Sequence, residues 1–146
     1  MLGAMALSIL IVVVVVLVHY EVLRLMSDAL PRLTLPPRTR IILVIFGVFF
    51  AHTVEVWIIA AILYGAELSG GMGMLTSDHP VGFYEHVYFV VATYTSLGYG
   101  DILATGALRL PAAVTALVGL VMIGWSASFT YLTMEKFWPL HRKSKG

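Results

Sequence analysis

Three apolar runs govern what this 146-residue chain can fold into. Residues 1–20 contain no Asp, Glu, Lys or Arg, residues 41–66 carry Glu55 as their only formal charge, and residues 110–134 carry none. About 18 residues at 1.5 Å of rise each suffice to cross roughly 30 Å of hydrocarbon, so every run is long enough to span a bilayer. Lipid offers the backbone no hydrogen bonds, so a helix, which bonds internally, is the expected form. That holds even for Val12 to Val16, a β-branched stretch that would disfavour a helix in water. Only 12% of the residues are charged, about half the usual share of a soluble domain. The fold class is an all-α membrane protein with three transmembrane helices.

The first run is expected to remain as a membrane helix rather than a cleaved leader. It lacks a basic start, exceeds a usual signal core, and shows no small-residue cleavage site before Glu21. With no cysteine, disulfides play no part. The net charge of +1 is uninformative, but its distribution is not. Arg24, Arg32, Arg38 and Arg40 fall between the first two spans, and Lys136, Arg142, Lys143 and Lys145 follow the third. Arg109 alone lies between the second and third, where it reads as an interfacial anchor. The positive-inside rule then puts the first loop and the C-terminus in the cytoplasm and the N-terminus outside, in a multi-pass protein of the plasma (inner) membrane.

The connection between the second and third spans is unusual. It opens with a polar, glycine-rich stretch containing Ser69-Gly70-Gly71-Met72-Gly73, and Asp78 and Pro80 then offer a helix start. Residues 83–95 read as a helix too short to span. Its C-terminal dipole end would favour a cation, and Glu85 suits its N-terminal end. Ser96-Leu97-Gly98-Tyr99-Gly100 cannot continue that helix. Non-helical backbone at membrane depth is tolerated where it is buried in protein or lines a watery path, and such a segment can turn its carbonyls toward an ion.

With Asp101, this segment resembles the selectivity filter of the potassium-channel family, usually Thr-Val-Gly-Tyr-Gly-Asp, as found in small prokaryotic-type channels. The resemblance covers residues 41–135. It implies an outer helix over 39–65, a turret over 66–82, a re-entrant pore helix over 83–95, a filter over 96–100 and an inner helix over 109–135. Residues 1–40 add an N-terminal helix and cytoplasmic linker, and residues 136–146 a short basic cytoplasmic tail. One filter per chain supplies a quarter of a coordinating ring, so a homotetramer around a central pore is implied.

The implied function is passive, potassium-selective conduction. K+ would sit at the carbonyls of Ser96, Leu97, Gly98 and Tyr99, with Gly100 completing the filter and the Ser96 hydroxyl as innermost ligand. Tyr99 would point away from the pore and brace the filter, with Thr95, Asp101 and Tyr88 in support. The expected partners are K+, the bilayer and three further copies, with no nucleic acid and no cofactor beyond the permeant ion. No nucleophile–base set or phosphate loop suggests an enzyme. Ser96 stands for the family's Thr, Leu97 for Val, Tyr88 for Trp, and Ala92 where some relatives have a buried Glu. These departures leave open a weakly selective monovalent cation channel, or a non-conducting channel-like subunit. The Tyr88 hydroxyl either bonds Asp101 or merely packs.

In the third span, Gly119 and Gly124 are gating candidates, with hinge bending and close packing both open at Gly119. Met134 and Phe129 are candidates for a constriction, while Ser126, Ser128 and Thr130 bond locally or wet the cavity. His52 and Glu55, three apart on one helix face, are ionisable residues in a span and need partners. They form either a proton-sensitive strut, with Trp125 or Ser126 as contacts, or a structural pair. Two such side chains are too few for a metal. Near the outer mouth, Glu67, Asp78 and Glu85 with His79 and His86 either concentrate cations or form a solvated turret. No sensor domain and no Arg- or Lys-periodic helix is evident. The Ser27–Pro37 linker lies at the inner interface or turns in solvent, and the first helix packs on the outer helix or on a neighbouring copy.

Overall fold

The computed structural model describes residues 1–137; the basic tail beyond lies outside the described residues. Helix α1 spans Leu2–Ala29, α2 Pro37–Leu68, α3 Phe83–Tyr94 and α4 Arg109–Phe137. Three segments, Leu2–Arg32, Pro37–Leu68 and Gly106–Phe137, are long and apolar enough to cross a membrane. The protein is thus a helical membrane protein with one short helix between its second and third spans.

Local chemistry sets the boundaries. A single 3-10 turn, Leu30–Arg32, ends α1 where Pro31 cannot donate a backbone hydrogen bond. Pro36 is extended and Pro37 occupies the first turn of α2, a position that needs no N–H. The linker folds back on itself, with the Arg40 guanidinium donating to the carbonyls of Leu33 (2.6 Å) and Leu35 (3.0 Å) and lying over the Phe137 ring. Helix α3 does not use the start at Asp78 and Pro80. Gly82 caps it instead, its N–H donating to the Glu85 carboxylate at 2.8 Å.

Two-residue strands, β1 (Leu75–Thr76) and β2 (Leu103–Ala104), pair antiparallel and tie the connection after α2 to the segment before α4. Thr105 Oγ1 donates to the Met74 carbonyl at 2.8 Å. Beside them, a Cβ on Gly73 would come within 2.2 Å of the Thr105 oxygen, so this crossing requires glycine.

The core runs between all four helices. Ile11 and Val15 of α1 meet Ile59 and Leu63 of α2, Val90 and Tyr94 of α3, and Val118 and Met122 of α4. Helix α1 packs on the chain's own α2 and α4. Large apolar side chains remain exposed elsewhere, among them Phe46, Phe49 and Phe50 on α2 and Leu117, Leu120 and Val121 on α4. Lipid or further protein can cover surfaces of this kind.

Candidate functional site

The residues after α3 are shaped by a repeating backbone device. Thr95 closes the helix, its hydroxyl donating to the Val91 carbonyl at 2.8 Å. The chain then turns tightly: Ser96 N–H donates to Thr93, and Leu97 and Gly98 N–H groups both donate to the Ala92 carbonyl at 2.9 and 3.0 Å. Ser96, Gly98 and Gly100 have φ of 59°, 53° and 84°, while Leu97 and Tyr99 between them keep negative φ. A backbone that alternates hand at every residue advances without coiling and can turn successive carbonyls to one side. Glycine takes the left-handed conformation at no steric cost, and nothing lies within 4 Å of where a Cβ on Gly98 or Gly100 would be. Ser96 is the only non-glycine with positive φ among the described residues, a conformation that costs about 1–2 kcal/mol.

Tyr99 turns to Tyr88 of α3, and the two rings stack almost parallel, 4° apart in plane with centroids at 6.3 Å. The Asp101 carboxylate beside the Tyr88 hydroxyl holds that phenol's pKa above its ordinary value. Ala92 is buried and contributes a carbonyl where an acid is lacking. Leu97 is 58% exposed in the single chain.

In the connection between α2 and α3, two of the singled-out acids are internal braces. His86 is fully buried, its Nδ1 2.8 Å from the Gly82 carbonyl and its Nε2 3.1 Å from Glu67 Oε2. Glu67 also accepts the Leu75 N–H at 2.9 Å. The Gly82 N–H keeps the Glu85 carboxyl below the usual glutamate range. Asp78 and His79 are exposed.

The polar groups of the second span are the largest departure from expectation. His52 and Glu55 are in contact, with Nδ1 3.3 Å from Oε2, but as two members of a larger cluster. His19 of α1 reaches Glu55 Oε1 at 2.7 Å, and the Tyr94 hydroxyl donates to Oε2 at 2.5 Å. His52 Nδ1 lies 2.8 Å from the Tyr94 oxygen and 3.3 Å from Glu55 Oε2. Ser126 of α4 stands 3.2 Å from His19 Nε2 and 3.0 Å from His52 Nε2. Trp125 packs its ring on His19 rather than bonding, with centroids 5.3 Å apart. His19 and Glu55 are wholly buried. The ligand-type atoms of His19, His52 and Glu55 lie within 4.8 Å of one another, so the structure offers a third group where two were apparent. Each of these side chains is already engaged in a hydrogen bond within the cluster.

Helix α4 meets the end of α3 at Gly119, which sits against the Tyr94 backbone, whereas Gly124 faces open space. Ser128 bonds the Gly124 carbonyl, and Thr130 and Met134 line a largely apolar cavity of about 730 Å³ between α2, α3 and α4. Phe129 is not among its lining residues; His52, Tyr94 and Ser126 are. His19 and Tyr94 were missed in the sequence. The only signal for His19 was a titratable residue in a run without formal charge.

A family model described as "Ion channel" matches residues 38–136 of the chain. Neither the curated proteins nor the solved structures returned a match.

Proposed function

Because the chain belongs to the ion channel family, we propose that four copies form a pore that conducts K+ passively through residues 96–100. The alternating φ at Ser96, Gly98 and Gly100 carries this reading. Four such strands around an axis would present rings of carbonyls from Ser96, Leu97, Gly98 and Tyr99. Carbonyls are dipoles without net charge, so they replace the hydration shell of a monovalent cation and still release it. The Ser96 hydroxyl would add the innermost ligands, and Gly100 lets the strand open toward Asp101. Thr95 fixes the inner end, and the Tyr88–Tyr99 stack braces the strand from behind. The exposure of Leu97 fits a strand completed by neighbouring copies. The arginines before α2 and Lys136 after α4 favour an orientation with both in the cytoplasm and the filter mouth outside.

Purified chain in liposomes tests the reading. Valinomycin-independent K+ flux and a reversal potential near the K+ equilibrium value in mixed K+ and Na+ are expected. A second reading, weak selectivity among monovalent cations, is favoured by Leu97 and by the missing acid at Ala92; a reversal potential near zero would support it. No flux from folded, tetrameric protein would leave a non-conducting subunit.

A further inference from the structure

Five side chains from all four helices close a hydrogen-bonded ring: Glu55 to His19 (2.7 Å), His19 to Ser126 (3.2 Å), Ser126 to His52 (3.0 Å), His52 to Tyr94 (2.8 Å) and Tyr94 back to Glu55 (2.5 Å). We infer that this ring is a binding site for one proton, held inside the membrane between the first helix and the end of the pore helix.

The inference follows from counting hydrogens. Each link needs one, because a hydrogen bond joins one donor to one acceptor. The Tyr94 and Ser126 hydroxyls and two neutral imidazoles bring one hydrogen each, and an ionised carboxylate brings none. That leaves one of the five links as an acceptor facing an acceptor. His19 Nδ1–H and the Tyr94 hydroxyl both face Glu55, so two hydrogens, from Ser126 and His52, remain for the three links His19–Ser126, Ser126–His52 and His52–Tyr94, and the shortfall falls at one of these. One added proton completes every link. It resides on His19, on His52, or along the Glu55–His19 link, and these forms interconvert by shifting hydrogens around the ring.

Charge leads to the same stoichiometry independently. Glu55 is wholly buried, and an uncompensated carboxylate in such a place is costly. One extra proton makes the ring neutral, and two would leave it positive. No other titratable group among the described residues faces it: α1 contributes His19, α2 His52 and Glu55, α3 Tyr94, and α4 only Ser126 and the Trp125 ring. Among the described residues, no buried side-chain nitrogen or oxygen lacks a partner within hydrogen-bond distance, so every atom of the ring has a neighbour to share a hydrogen with. The His52 side chain, 18% exposed, borders the cavity between α2, α3 and α4 and gives the proton a way in.

Loss of the proton as pH rises breaks a link to Tyr94 or Ser126 and leaves a buried negative charge. The proton-bound form is therefore the stable one, and its stabilisation disappears toward alkaline pH. Tyr94 is the residue before Thr95 and Ser96, so the same event releases the support of the filter segment.

Two measurements on the full chain in bilayers test the ring without reading any ion flux, so its failure is distinguishable from failure of the channel assignment. Imidazole 15N and carboxyl 13C NMR should find three protons shared by His19, His52 and Glu55 at neutral pH; two would overturn the proposal. The thermal unfolding midpoint should fall by about 3–6 °C between about pH 6 and about pH 9. In Glu55→Gln that fall should vanish. The glutamine amide donates to His19 and its oxygen accepts from Tyr94, so the ring is complete with neutral imidazoles at every pH, at the cost of one unpartnered amide hydrogen. A Glu55→Gln variant that keeps the wild-type pH slope overturns the proposal, since a plain ion pair predicts general destabilisation instead. A midpoint lowered by a metal chelator at fixed pH also overturns it, because a metal would then fill the ring.

Discussion

The Tyr94 carbonyl occupies the space that a side chain at Gly119 would need: a Cβ there would lie 1.9 Å from the Tyr94 oxygen. The neighbour is backbone, at the last residue of α3, so it cannot yield without moving the start of residues 95–101. Gly119→Ala should gain up to about 1 kcal/mol of helix propensity and lose about 3 kcal/mol or more to the clash. Thermal unfolding should show net loss of stability, and flux should fall with it. A hinge role predicts otherwise: a folded protein of normal stability with altered open probability. Gly124→Ala, facing open space, is the control and should be tolerated.

The glycines of the proposed filter should respond differently, because room is available and conformation is not. Gly98→Ala and Gly100→Ala meet no neighbour within 4 Å, yet each forces a Cβ into a left-handed φ costing about 1–2 kcal/mol. Flux should collapse while the helices stay folded by circular dichroism. Ser96→Gly relieves the same strain but removes the hydroxyl; its signature should be weaker K+ block by permeant competitors with stability kept or raised. Loss of helical structure in any of the three would contradict a purely local backbone origin.

Tyr88 has two separable interactions, a stack on Tyr99 and the electrostatic influence of the Asp101 carboxylate that raises its pKa. Tyr88→Phe keeps the first and deletes the second. Selectivity should fall modestly while the filter still forms, whereas Tyr88→Ala should lose both and abolish steady conduction. Equal behaviour of Tyr88→Phe and wild type in reversal potential and inactivation would assign the hydroxyl to packing alone.

What was legible in the sequence follows from how local each signal is. Span-length apolar runs and a glycine-alternating segment announce themselves, since membrane length and left-handed φ are properties of contiguous residues. His19 is different. Its partner Glu55 lies 36 positions away on another helix, and nothing in a charge-free run reveals which of its residues face inward. Tyr94 read as one more aromatic before the filter, because a phenol's partner cannot be inferred until two helices cross. The β1–β2 pairing involves two residues per strand, below what alternation can signal. Asp78 and Pro80 carried the stronger start signal for α3, but Gly82 and Glu85 supply the cap through a bond that no side chain at Gly82 could advertise.

That same cap gives the start of α3 an acid response. Glu85 accepts the Gly82 N–H, and its carboxyl is held below the ordinary glutamate range by that bond. A carboxyl with a depressed folded-state value favours the ionised, folded form, so its contribution is complete above the ordinary glutamate pKa. It is lost as pH falls through that value toward the depressed one. Glu85→Gln removes the charge and its interaction with the N-terminal end of α3, and should flatten the acid limb of the unfolding-midpoint profile while leaving the alkaline limb unchanged. Because the ring around Glu55 acts on the alkaline side, Glu85→Gln and Glu55→Gln should affect opposite limbs of one profile. Combined in a double variant, the two effects should add, since the sites share no partner. An alkaline change in Glu85→Gln would mean that the cap and the ring are coupled through α3.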